Sequence, residues 1–204
     1  MKYAVLLLTF FFQFGFAQSK KEQILAIEKF QKELNDQYRS KENSPLRGSN
    51  FENFKQHPFF SIDLKYRVKA KLTKTPDSEP FELPTSSGKK KVYRKYGVAT
   101  FKIDGQELQI ALYQSIDLLK NPKYKNYLFL PFKDATNGTD TYGGGKYLDL
   151  EIPKARTIII DFNQSYHPYC AYNAYDYNCP IVPEENNLPI EIKAGVMYDD
   201  VYFH

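Results

Sequence analysis

The residues able to do chemistry crowd into the last third of this 204-residue chain. Asp161 ends the apolar run Ile158-Ile159-Ile160, and with Asp134, Asp149 or Glu185 it could form a general acid/base pair whose pKa values are split by proximity. The plainer role is that of an aspartate, followed by Asn163, whose oxygens hold a turn through backbone N–H groups. Cys170 and Cys179 are the only cysteines. The expected use is a disulfide closing a short loop; the rivals are a three-ligand metal site with His167 at non-standard zinc spacing and a reactive Cys170 served by His167 as base. Tyr166, Tyr169, Tyr172, Tyr175 and Tyr177 follow along a proline-interrupted loop. Tyrosines near Asn and Asp suit a sugar-binding face, and equally a loop that buries its own rings. Gly143-Gly144-Gly145-Lys146 is not a P-loop, because Asp140 and Tyr147 stand where glycine and Ser/Thr are needed. Glycine's freedom at positive φ makes a tight turn or close backbone approach the expected use, with anion binding as the rival.

These residues are expected to converge on one water-accessible hollow. The candidate lining is Asp134, Thr136, Thr141, Tyr142, Asp161, Asn163, Tyr166, Glu185 and Asn186. Three functions compete for it: a module that binds a small polar or carbohydrate ligand, a hydrolase using Asp161 with Asp134 or Glu185 or using Cys170, and a structural or interaction domain. No cofactor and no metal is implied. With 28 basic against 24 acidic residues the net charge of +4 is too small and scattered to bind a polyanion, so nucleic acid is not an expected partner.

The elements that must position such a site can be read from periodicity. Met1 to Ala17 has the form of a secretory signal: Lys2, an apolar run from Tyr3 to Phe16, and the small-residue site Gly15-Phe16-Ala17. The run is too short to span a bilayer, so an exported, extracytoplasmic chain starting at Gln18 is expected. An 18–44 segment carries one helix. Ser19-Lys20-Lys21-Glu22 fits a capping box, and Ile24, Ile27, Phe30, Leu34 and Tyr38 form one stripe over about Lys20 to Arg39, expected to pack on the main sheet. A single β-rich domain should fill 45–204. Ile62, Leu64, Tyr66, Val68, Ala70 and Leu72 alternate with polar residues as a strand does. Asp104-Gly105 suits a type I′ turn, which aligns Ile103 with Gln106, Phe101 with Leu108 and Ala99 with Ile110. Tyr127 to Phe132, Lys146 to Ile152, Thr157 to Asn163 and Pro189 to Ala194 are further strand candidates. The fold class is mainly β: an antiparallel sandwich or partly open barrel with one N-terminal amphipathic helix and long C-terminal loops.

Several blocks together resemble a family, the bacterial and archaeal domain of unknown function 1684. They are Phe-x-Asp-Ala-Thr-x-Gly at Phe132 to Gly138, Thr-Tyr-Gly-x-Gly-basic at Thr141 to Lys146, Asp161-Phe162-Asn163, Cys170 with Cys179-Pro180, Leu188-Pro189 and Ala194-Gly195. The likeness runs from about Leu46 to Gly195 and implies no activity or catalytic residue. This chain departs from the family pattern at Gln164, His167 and Val196, so a mechanism resting on those positions would not extend to the family.

Overall fold

The computed structural model describes residues 19–199, 201 and 202; the signal segment lies outside the described residues. Helix α1 spans Lys20–Arg39 and starts as its sequence requires. Ser19 Oγ accepts from Glu22 N at 3.2 Å, and the Glu22 carboxylate accepts from Ser19 N at 2.7 Å. Seven strands follow: β1 (Arg67–Lys74), β2 (Phe81–Pro84), β3 (Lys90–Ile103), β4 (Gln106–Ser115), β5 (Tyr127–Phe132), β6 (Lys146–Glu151) and β7 (Thr157–Asp161). They form one antiparallel sheet in the order β6-β5-β4-β3-β1-β7, with β2 also on β3, curled into a partly open barrel.

The β3–β4 hairpin has the expected register, pairing Ile103 with Gln106, Phe101 with Leu108 and Ala99 with Ile110. Both turn residues lie at positive φ, Asp104 at 48° and Gly105 at 82°, which a type I′ turn demands. Alternation divides the sheet into two faces. The inner core takes Val68, Ala70, Phe101, Ile110, Leu112, Leu128, Leu130, Leu148 and Ile160. The opposite face carries Tyr93, Tyr113, Phe129 and Tyr147, partly covered by the loop holding Val182.

Three expectations are corrected. The first strand begins at Arg67 rather than Ile62, because Asp63 caps a 3₁₀ turn at Leu64–Tyr66 by accepting from Lys65 N. Pro189 to Ala194 is not a strand: Ile192 N donates to the Asp134 side chain and Ile192 O accepts from Lys146 Nζ, so side chains stand where a neighbouring strand would. The stripe of α1 packs chiefly on turns and loops instead of the main sheet. Leu34 and Tyr38 cluster with Leu46, Ala171 and Tyr172, while Ile24 stays exposed.

A buried chain of rings fastens this helix. Tyr38 meets His57 edge-on at 4.3 Å and Tyr172 at 5.0 Å, and the Tyr172 hydroxyl lies between His57 Nδ1 and His167 Nδ1. Burial pushes the His57 pKa from 6.5 down to about 3 and that of His167 well below its usual value. Both rings are therefore neutral in the fold and take up protons on unfolding. The stability they contribute is complete above the unfolded pKa of 6.5 and is lost as pH falls below it toward the folded value. Each histidine should steepen that loss by up to about 1.4 kcal/mol per pH unit. Urea unfolding between pH ~6.5 and ~5 should show this slope, and His57→Phe should remove about half of it; equal slopes in both proteins would refute the assignment.

Candidate functional site

The expected convergence of Asp134, Asp161 and Glu185 does not occur, and each is held by its own cation. Asp134, just past β5, is buried with Lys146, the first residue of β6; Oδ2 and Nζ are 2.9 Å apart and both side chains are fully enclosed. Oδ1 accepts from Thr136 N, Thr136 Oγ1 and Ile192 N. Thr136 Oγ1 meets Thr141 Oγ1 at 2.9 Å, and Asn137 bonds Thr141, the Tyr142 carbonyl and Asp134 N. Burial pulls the Lys146 ammonium below the usual lysine range against the pull of Asp134. The pair and its partners form a polar knot sealed from solvent.

Asp161, at the end of β7, pairs with Arg67 at 3.2 Å, and its other oxygen accepts from Asn163 N and Nδ2. Asn163 in turn bonds both backbone groups of Asp63, so the pair holds two turns together. Glu185 is tied to Lys95 and to the Tyr113 hydroxyl, each at 2.6 Å. Asn186 is buried where β4 and β5 splay apart beyond their Tyr113–Phe129 pair; its amide bonds Ala111 N, Ala111 O and Pro131 O, substituting for the missing ladder. Tyr142 packs beside His167 and Tyr198. Cys170 and Cys179 form a disulfide, Cα–Cα 6.1 Å, which removes the thiolate nucleophile and the thiolate metal ligands. Among the described residues no group of three or more His, Cys, Asp or Glu is placed to hold a metal. Gly145 has φ 102°, and a Cβ there would stand 2.8 Å from Phe132 O and 2.6 Å from Val182, so the glycine run makes a close-packed turn.

Of the candidates, only Tyr166 lines an open groove of about 550 Å³ on the outer face of the sheet. Its floor is Tyr93 on β3, Tyr127 and Phe129 on β5, and Tyr147 and Asp149 on β6. Phe30, Leu34 and Gln37 of α1 form one wall; Tyr166, Tyr169, Tyr177 and the disulfide residue Cys179 form the other. The chain after β7 is laid beside β6 by paired bonds between Tyr147 and Tyr166, Tyr147 N to Tyr166 O at 2.8 Å and the reverse at 3.1 Å. Asp149 is exposed at the groove's end and accepts from both phenols beside it, Tyr127 at 2.6 Å and Tyr166 at 2.8 Å. Desolvation, reinforced by the Asp149 charge, raises the pKa of both phenols, so they stay protonated donors. Tyr147 donates to Pro180 O, and the Tyr169 hydroxyl accepts from Gln37. A second cavity of about 330 Å³ shares Phe30, Asp149 and Tyr166 and lies between β6 and β7, where Asp161 and Arg67 also line it.

The tyrosine loop thus divides: Tyr166, Tyr169 and Tyr177 line the groove, Tyr172 is core and Tyr175 is exposed. Tyr127, Phe129 and Tyr147 were absent from the expected lining, and Asp149 entered only as a partner for Asp161. The available signal was strand alternation. Tyr127 and Phe129 interleave with Leu128 and Leu130, and Tyr147 and Asp149 with Leu148 and Leu150, so one apolar face implies an aromatic and acidic face opposite.

Removing one member of the Asp134–Lys146 pair strands a charge in a dry site, which typically costs about 3–5 kcal/mol. Lys146→Met should lower urea-unfolding stability by that order, and Asp134→Asn Lys146→Met together should cost less than Lys146→Met alone. Additive losses in the double variant would show that the two residues act independently.

No curated protein matches the chain. The fold is similar to that of a solved protein, the uncharacterised product of a Haloarcula marismortui locus determined by solution NMR, with a TM-score of 0.68 and 28% identity over 88% of this chain and 96% of that one. The pattern of a family described as a protein of unknown function, DUF1684, matches residues 52–197, a span holding the Asp134–Lys146 knot, the disulfide and the groove's floor. The chain belongs to the DUF1684 family.

Proposed function

We propose that this is an exported module that binds a small polar ligand, of which carbohydrate is the leading class, in the outer groove. The observation that carries the reading is the groove's composition: ring faces on floor and walls, with an exposed carboxylate fixed at one end by two phenols. Aromatic faces take the apolar side of a sugar ring while a few placed polar groups fix its orientation. Lys91, Gln37 and Asn178 add polar contacts along the groove. The Cys170–Cys179 disulfide supports export, because such bonds persist in oxidising compartments, and no described helix is long and apolar enough to cross a membrane.

The chain has no tryptophan, and six of its 17 tyrosines line the groove, so a ligand there perturbs part of the tyrosine emission. Titration with mono- and oligosaccharides should change that emission and raise the unfolding temperature by mass action. Tyr177→Ala, in a half-buried wall position, should weaken binding about three- to tenfold, the usual worth of one aromatic contact. A sugar and metabolite panel that leaves both emission and unfolding unchanged would remove the basis for this reading.

A further inference from the structure

We infer that the Asp149 end of the groove is a subsite for a positively charged organic group, an ammonium carried by the ligand. The inference rests on the groove being a ligand site and adds the charge of what enters it. Asp134, Asp161 and Glu185 each have a cation within 3.2 Å, whereas no described lysine or arginine makes an ion pair with Asp149. Among the described residues its carboxylate is met by the Tyr127 and Tyr166 phenols, one on each oxygen, which leaves further lone pairs open. Those bonds place the tips of the two phenols at the carboxylate, and the rings of Phe129, opposite Asp149 in the ladder, and of Tyr147 lie on the same face of the sheet.

Carboxylate and ring faces act in the same direction, since the negative face of an aromatic ring attracts a cation by about 0.5–2 kcal/mol. The O–H donors of Tyr127, Tyr166 and Tyr147 are already spent within the protein, so these phenols offer an entering group acceptor lone pairs alone, which suit a cationic donor. Two nearby cations do not cancel the field. Arg67 borders the smaller cavity but is paired with Asp161. Lys91, on β3, also lines the groove but makes no ion pair with Asp149. The groove's other lining carboxylate, Asp176, is paired with Arg47 at 3.1 Å, which leaves Asp149 as the lining carboxylate without a lysine or arginine partner among the described residues.

The test uses tetramethylammonium chloride against neopentyl alcohol, a neutral body of similar shape, with sodium chloride matching ionic strength and tyrosine emission as the readout. Tetramethylammonium should bind at least about tenfold more tightly than the alcohol, the sum of cation–π and carboxylate attraction. Asp149→Asn should abolish that preference while keeping the circular dichroism of the parent. Tyr166→Phe, which keeps the ring and removes the phenol, should retain the preference, so a folding defect in one variant does not decide the matter. Equal or tighter binding of the alcohol to the parent protein, or a preference that survives in Asp149→Asn, overturns the inference and leaves the groove as a site for neutral ligands. Silence toward both probes and toward the sugar panel overturns this inference together with the groove reading.

Discussion

The Asp134–Lys146 ion pair is the constraint on which the rest of the architecture depends. Two unlike charges in dry surroundings tolerate little displacement, because their desolvation is offset only while the geometry holds. Their backbone attachments make the constraint global. Asp134 follows β5, Lys146 opens β6, and both reach the Ile192 backbone, so the ends of two strands and the irregular segment after Leu188 are pinned at one point. The Thr136, Asn137 and Thr141 bonds then fold the connection between β5 and β6 back on itself, and Gly145 lets that connection enter β6 against Phe132 O. Since β5 and β6 supply Tyr127, Phe129, Tyr147 and Asp149, the knot inside the barrel sets the floor of the groove outside it.

This separates two jobs that the amino-acid types alone had merged. The blocks carrying the family resemblance, from Phe132 to Lys146 and from Asp161 to Asn163, spend their polar groups on backbone and on one another. The groove draws instead on outward strand positions, on α1 and on the loop after Tyr166. Asn186 makes the same point: an amide that could have faced a ligand fills a gap between β4 and β5. Asp134, Asp161 and Glu185 are each neutralised in a separate place and so form no carboxylate pair with one another, whereas Asp161 and Asp149 line the same smaller cavity.

Local signals proved legible where one residue decides one conformation. Ser19 and Glu22 start α1, Asp104-Gly105 sets the hairpin register, and the two cysteines meet. The signals that misled were those in which a side chain takes the place of backbone pairing. Pro189 to Ala194 has a strand's composition, but Asp134 and Lys146 occupy Ile192's polar groups; Ile62 and Leu64 alternate properly, but Asp63 bends them into a 3₁₀ turn. The groove was hidden for a related reason. Tyrosine suits packing and binding alike, and only the tertiary placement of α1 and the disulfide loop shows which rings remain open to water.

The groove's rigidity follows from how its walls are anchored. The wall after β7 is joined to β6 at Tyr147 and Tyr166, to β2 through Ile181 N and Pro84 O, and to itself by the disulfide. The wall from α1 is fixed by Tyr38 against His57 and Tyr172, a ring cluster on the side of the helix away from solvent. Side chains already held by Asp149, Pro180 and Gln37 lose little freedom when a ligand arrives. A preorganised surface binds with a smaller ordering cost than a mobile loop of the same composition. The tyrosines' internal hydrogen bonds therefore favour recognition by ring faces and fixed charge over recognition by adaptable hydroxyls.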